Sequence, residues 1–423
     1  MFERVIVLGA GAAGLGAVWA ATARGADVRW LDGGVGASSL AGGAVDDRPW
    51  EEIARAAEVL GQQPLAGPLP AVIGDFVRDF ELWRLPAEGE PLSRLATEAG
   101  CVRLARGHDR ALLDLARVSP GARVLLPRLP RPEWDADSLA RALSCDPFAE
   151  SRRLRFEAID ATLLKFVDEE RIAAADFAAR HDDDERRGWF CDRLREALAR
   201  AGRADALLVG PWLGAADIDV AQDLKRRLTL VVGEVLGNVG SAAGLRFESA
   251  RTRLCQKLGA RIERVHARRV ARRGDEFAVW LDDDKPALCD AVVIAVGGVA
   301  AGGVIYEPPE QRSGQDIASA GGVPFRLSLK APVRLRVAGK LLDVVSSMHG
   351  PTLDEVAWPT DADPSHLEAV GIACEGVEIE RGLYAAGDAI ADRPRTLLQA
   401  VYSGALAGAA AAGEPGQVGL SSA

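Results

Sequence analysis

The chain opens on Val5-Ile6-Val7-Leu8, an unbroken apolar and largely β-branched run, the pattern of a strand buried on both faces of a parallel sheet. Small residues from Ala12 to Ala23 predict a helix with Gly25 at its C-cap, and Val28-Arg29-Trp30-Leu31 predicts a second strand ending at Asp32. A strand meander is expected from Ala260-Arg261-Ile262 and Val270, across the Arg273-Gly274-Asp275 break, to Phe277-Ala278-Val279-Trp280-Leu281 and the turn at Asp282-Asp283-Asp284. It leads into Ala291-Val292-Val293-Ile294-Ala295-Val296, a buried strand closed by Gly297-Gly298. A last apolar strand, Leu383-Tyr384-Ala385-Ala386, ends at Gly387-Asp388, and a small-residue helix follows from Thr396-Leu397 through Gly404 and Gly408.

These elements give the fold class: α/β, a Rossmann-like domain with a parallel sheet and a β-meander, plus a second, inserted α+β domain. Residues 1–65, 240–302 and 368–412 are assigned to the first domain, 66–239 and 303–367 to the second, and 413–423 to a frayed tail. In the second domain no motif stands out. Prolines at 64–70 and 127–132 bracket loops, and 183–202 reads as one amphipathic helix, its first turn taking the acids from Asp182 to Glu185 and Gly202 capping its end.

Composition narrows the classes. Hydrophobic residues make up 48% and charged residues 26% of the 423, which is globular rather than disordered. A net charge of −10 argues against nucleic acid as a partner. Cys101, Cys145, Cys191, Cys255, Cys289 and Cys374 show no C-x-x-C spacing, so they read as buried free thiols of a reducing compartment. With no basic leader and no apolar run of about 20 residues, the expected location is cytoplasmic, with peripheral membrane contact left open.

The 45 glycines gather at a few places, and there candidate chemistry appears. Gly9-Ala10-Gly11-Ala12-Ala13-Gly14 is a G-x-G-x-x-G turn between strand and helix: Gly9 for the tight turn, Gly11 for close approach of a pyrophosphate, Gly14 for helix–strand packing. Ala12 and Ala13 open the helix whose N-terminus favours the phosphates. Asp32, at the end of the second strand, can accept from both ribose hydroxyls. Ser38, Ser39, Gly42 and Gly43 in the loop 33–43 suit contact with a flavin or merely a linker. Gly297 marks a close approach of backbone to ligand. Gly387-Asp388, taken with the earlier blocks, places a carboxylate on a ribityl chain, and Thr396-Leu397 begins the helix whose N-terminus would face the flavin N1/O2 edge. No metal site is expected, the acidic triplet at 282–284 reading as a solvated turn. Catalytic residues are not identified: His349 is the preferred acid or base, and Arg246 the preferred anion clamp.

In these blocks, over about 1–45, 244–300 and 380–410, the chain resembles the FAD-dependent oxidoreductase family that contains succinate dehydrogenase and fumarate reductase flavoproteins. Further passages resemble the B-type flavoprotein component of anaerobic glycerol-3-phosphate dehydrogenase: Ala96-Thr97-Glu98-Ala99-Gly100 with Val102-Arg103, Phe177-Ala178-Ala179-Arg180 before Asp182, Gly210-Pro211-Trp212-Leu213-Gly214, Gly244-Leu245-Arg246, and Gly382-Leu383-Tyr384-Ala385-Ala386-Gly387. The resemblance implies FAD, with FMN as the alternative, in a complex with a larger flavoprotein and an iron–sulfur chain. Binding is expected to be non-covalent, because relatives that link FAD use a histidine in the loop after the second strand and the first histidine here is His108. Three roles stay open: an electron-transfer subunit, a stand-alone dehydrogenase or reductase of a small molecule, and a non-catalytic scaffold.

Overall fold

The computed structural model describes residues 3–46, 69–282, 285–306, 325–337, 340–342 and 370–413. Strand β1 (Arg4–Leu8), helix α1 (Ala12–Thr22) and strand β2 (Asp27–Asp32) follow one another from the N-terminus. The chain next adds β3 (Ala44–Val45), β4 (Gly107–Asp109), β5 (Arg123–Arg128), β6 (Arg155–Asp160), α2 (Asp184–Ala201), β7 (Ala206–Val209), β8 (Val231–Glu234) and α3 (Ala242–Leu258). It continues through β9 (Arg261–Arg264), β10 (Arg269–Arg273), β11 (Glu276–Trp280), β12 (Pro286–Cys289) and β13 (Ala291–Ile294). The last elements are β14 (Glu378–Glu380), β15 (Leu383–Ala385) and α4 (Leu397–Ala411).

Two compact units result. The first holds the described residues up to Ala37, 69–76 and everything from Leu254 on; the second holds 38–46 and Val77–Arg253. In the first unit the sheet runs β9-β2-β1-β13-β15-β14, parallel except for β14. Arg261–Arg264 therefore joins the edge of the parallel sheet, not the meander expected of it; the meander is β10-β11-β12 alone. The apolar runs explain the placement: Val5, Ile6, Val7 and Leu8 are all buried, as are Val292, Val293 and Ile294. The described residues of 325–335, assigned above to the second domain, join this core through Phe325, Leu327 and Leu335.

Helices α1 and α4 cover one face with almost no side chain between them. A Cβ on Gly404 would strike the Ala13 carbonyl, one on Gly408 that of Ala17, and one on Gly16 would lie 2.6 Å from the Val401 oxygen. Glycine at these places lets two backbones touch.

The second unit is built on a four-stranded sheet, β8-β7-β5-β6, parallel throughout. Its core collects Leu125, Leu126, Phe177, Phe190, Leu207, Leu208 and Trp212. Helix α2 begins as read: Asp183 accepts from the Arg186 amide at 2.8 Å, and Gly202 closes the other end. Pro127 lies within β5 rather than in a loop, beyond Val124 and Leu125, the residues that pair with β7, so its missing N–H breaks no bond on that side.

The thiols are free, yet only Cys191, Cys255 and Cys289 are buried; Cys101 and Cys145 are exposed and Cys374 is half-buried, which corrects the expectation of six buried ones. Among the described residues no helix is long and apolar enough to cross a membrane.

His181 is sealed in the second core, its Nδ1 2.7 Å from the Trp212 carbonyl and its ring against Phe177 and Phe190. Burial, reinforced by the Arg186 charge, lowers its pKa to about 3. The unfolded chain binds a proton there near pH 6.5 and the native chain does not. His181 thus contributes stability that is present above pH 6.5 and lost as pH falls toward 3. Its share of the loss is expected to approach about 1.4 kcal/mol per pH unit below pH 6. Denaturant titrations at a series of pH values should show a shallower acid loss in His181→Phe than in the parent; identical slopes would exclude a buried neutral imidazole.

Candidate cofactor site

The carboxyl ends of β1, β13 and β15 meet at three glycine turns. Gly9 adopts φ +105, donates its N–H to Leu31 O at 2.9 Å, and accepts from the Trp30 indole at 2.8 Å. Any Cβ there would run into the Ala295 carbonyl, and one on Gly14 would run into the Gly9 carbonyl, so the turn is compressed between two strands and a helix. Gly11 is different: it is the N-cap of α1 with an ordinary φ of −78. Helix α1 then starts at Ala12 and Ala13 with no acidic side chain in its first turn, and the positive end of a helix dipole favours anions. The loop after β2 returns to this turn, a Cβ on Gly36 falling 3.8 Å from Gly11 Cα. Asp32 ends β2 half-buried, its carboxylate accepting the Gly34 amide at 3.0 Å.

Gly387, at φ +66, sits beside Ala13, and its N–H donates to Ser403 Oγ at 2.9 Å. Gly297 is at φ +81, and a Cβ on its neighbour Gly298 would lie 2.7 Å from the Asp388 carbonyl and 2.8 Å from the Arg395 guanidinium. Thr396 caps α4 by accepting the Gln399 amide at 3.2 Å, and Leu397 is the first helical residue. The contacts Gly9–Ala295, Ala13–Gly387 and Gly298–Asp388 thus bring the glycine turn, the end of β13 and the Gly387-Asp388 turn to one edge, with Asp32 on the adjacent strand end and α4 starting beside them.

Ser38, Ser39, Gly42 and Gly43 belong to the second unit. Ser39 Oγ donates to Glu248 of α3, Gly42 accepts from the Gly237 amide at 3.2 Å, and Gly43, at φ +106, accepts from the Asp109 amide at 2.7 Å.

One preference of the sequence reading changes. Arg246 is no anion clamp: it is 0% exposed and bonded to Asp109 and Glu234. His108 and His181 are buried, and burial lowers both pKa values; His266 is exposed beside Gly33. His349 and His366 lie outside the described residues, as do positions 283 and 284 of the acidic triplet. No cluster of metal-ligating side chains occurs among the described residues. The sequence reading missed Asp109 and Glu234 altogether, although Arg246 shares a helical face with buried Ala243, Phe247, Ala250 and Leu254, an unusual place for a solvated arginine.

No protein-family model matches the chain, and no curated protein matches it. Among solved structures it is similar to the Diels-Alderase PyrE3 of pyrroindomycin biosynthesis at 11% identity and a TM-score of 0.31, over 96% of this chain and 63% of that one. It is similar to iminodiacetate oxidase from Chelativorans sp. BNC1 at 14% identity and 0.31, over 99% and 98%. A variant of Klebsiella pneumoniae HpxO complexed with FAD gives 12% and 0.31, over 98% and 82%. The chain spans 63% of the length of the first of these. The fold assignment rests on the strand order and turns described above.

Proposed function

We propose that the chain is an FAD-binding oxidoreductase. The observation that carries this reading is the compressed glycine turn at the start of α1, sharing one sheet edge with Gly387-Asp388 and the start of α4. The residues fit the cofactor: Gly11 with the Ala12 and Ala13 backbone would take the pyrophosphate, and Asp32 the adenosine ribose. Asp388 would hold the ribityl chain, and the Thr396-Leu397 helix start the N1/O2 edge. Gly297 would line the ring. Bound flavin would supply hydride and single-electron transfer; the protein supplies orientation and proton-handling groups.

Asp32→Ala tests the placement. Losing a charged acceptor is worth about 1.5–3 kcal/mol, or roughly 10- to 150-fold in affinity. FAD titrations of the refolded apoprotein should weaken by that factor while FMN titrations stay unchanged; unaltered FAD affinity would sink the adenosine assignment.

Within this reading, the chain acts as the B-type flavoprotein component of a complex like anaerobic glycerol-3-phosphate dehydrogenase. A larger flavoprotein would oxidise glycerol 3-phosphate to dihydroxyacetone phosphate, and an iron–sulfur chain would carry electrons on to quinone. The passages from Ala96 to Gly387 that resemble that component support it. FAD-loaded chain alone should therefore give only residual turnover of glycerol 3-phosphate with an artificial acceptor. Robust turnover would favour a stand-alone dehydrogenase instead.

A further inference from the structure

Two of the six thiols stand exposed, and the second unit brings them to one place. Cys101 lies in a hairpin, just before its second strand, Val102–Ala105, which pairs with Ser93–Ala96; Cys145 caps the end of the helix Ala136–Ser144. Two contacts join the hairpin to that helix end. Val102, one position after Cys101, donates its N–H to Asp146 Oδ2 at 2.8 Å, and Asp146 is one position after Cys145. Gly100, one position before Cys101, has φ +82, and a Cβ on it would lie 2.4 Å from that of Ala142, nearly one helical turn before Cys145. Each thiol is thus the immediate neighbour of one partner in a single hydrogen bond.

Both sides of the junction are fixed. Ala96 accepts the Leu236 amide at 2.7 Å, which ties the hairpin to the chain leaving β8. Asp146 caps the helix Pro147–Arg152, its Oδ1 accepting the Phe148 amide at 2.9 Å. Cys101 Sγ lies 3.1 Å from Thr97 Oγ1, which also accepts the Cys101 amide at 3.3 Å. The remaining thiols are less suited to exchange, which proceeds through the thiolate. Cys191, Cys255 and Cys289 are buried and Cys374 is half-buried; burial pushes Cys289 up to about 12 and Cys374 up to about 11.

We propose that Cys101 and Cys145 are a dithiol modification site, which a low-molecular-weight disulfide, oxidised glutathione, converts into a reversible disulfide within the chain. The thiolate of one cysteine attacks the glutathione disulfide, whose S–S bond breaks, and one glutathione leaves with a proton. The thiolate of the other cysteine then attacks the protein sulfur of the mixed disulfide, and the second glutathione leaves with a second proton. Two protein thiols are oxidised and one small disulfide is reduced. The product fastens the hairpin to the helix end by a covalent link where one backbone-to-carboxylate hydrogen bond and a small-residue contact now join them. The site stands on the second unit alone and does not depend on the flavin reading.

The test is the native full chain incubated with oxidised glutathione, quenched in acid and weighed by mass spectrometry. The parent should lose about 2 Da, the mass of two hydrogens, and its thiols titrated after denaturation should fall from six to four. A tryptic peptide pair should link Cys101 to Cys145, and dithiothreitol should restore the starting mass. Cys101→Ser and Cys145→Ser, conservative changes at exposed positions, each leave one thiol without its neighbour. Those variants should instead gain about 305 Da as the mixed glutathione disulfide. An unmodified parent, a parent that keeps a glutathione adduct at either cysteine, or a bridge from either one to any other cysteine overturns the proposal. So does a loss of about 2 Da by either variant.

Discussion

Gly11→Val is expected to abolish FAD binding, with affinity falling at least about 100-fold, or about 2.8 kcal/mol, while the first unit stays folded. The three fingerprint glycines are not equivalent in this respect. Gly9 needs φ +105, and Gly14 lies against the Gly9 carbonyl, so substitution at either distorts the protein before any ligand arrives. Gly11 has φ −78 and ψ −169, a conformation that valine adopts readily. A branched side chain there obstructs the approach of a pyrophosphate to the helix start without straining the turn. Circular dichroism and thermal unfolding should be close to the parent, and fluorescence titration should show no saturable FAD binding. A folded Gly11→Val chain that binds FAD normally would move the phosphates away from α1.

Arg246→Met should cost the second unit about 3–5 kcal/mol, the range for removing one partner of a buried ion pair. Methionine replaces much of the volume but leaves Asp109 and Glu234 facing each other without a cation, and leaves the Gly214 carbonyl without its donor. Adding Asp109→Asn and Glu234→Gln to Arg246→Met should recover part of the loss, because the unpaired charges, not the missing bonds, make up most of it. Urea unfolding of the single and triple variants decides this. A loss under about 1 kcal/mol, or no recovery in the triple variant, would mean that the three side chains do not act as one buried network.

How far the sequence foretold the molecule depends on whether a feature is local. The first unit was legible because its turns obey backbone rules: Gly9, Gly14, Gly297 and Gly387 stand where positive φ or a carbonyl in contact excludes a side chain. Strand β9 was misread because Arg261, Ile262, Glu263 and Arg264 show the half-polar face of an edge, and meander and sheet edge look alike in four residues. In the second unit, β5 and β7 are short apolar runs, Arg123–Arg128 and Ala206–Val209, with no glycine fingerprint after them. Nothing local reveals that they lie side by side in parallel. The Asp109–Arg246–Glu234 cluster is less legible still, because Arg246 and Asp109 lie 137 positions apart and charged residues are read by default as solvated.

The strand order of the first unit also bears on how the protein is made. Strand β1 pairs with β13, and the Arg4 backbone bonds Asp290, 286 positions later; β13 in turn pairs with β15, and α1 packs on α4 near the far end of the chain. The β1-α1-β2 segment leaves the ribosome well before the strands that close its sheet, β13 and β15. Meanwhile Val77–Arg253 emerges with every strand of its own sheet in hand. The second unit is therefore free to fold while the chain is still growing, whereas the glycine turn gains its neighbours only once β13, β15 and α4 have been made. A chain terminated before β13 would carry the fingerprint without the turns that adjoin it, so ligand occupancy would report that synthesis has passed α4.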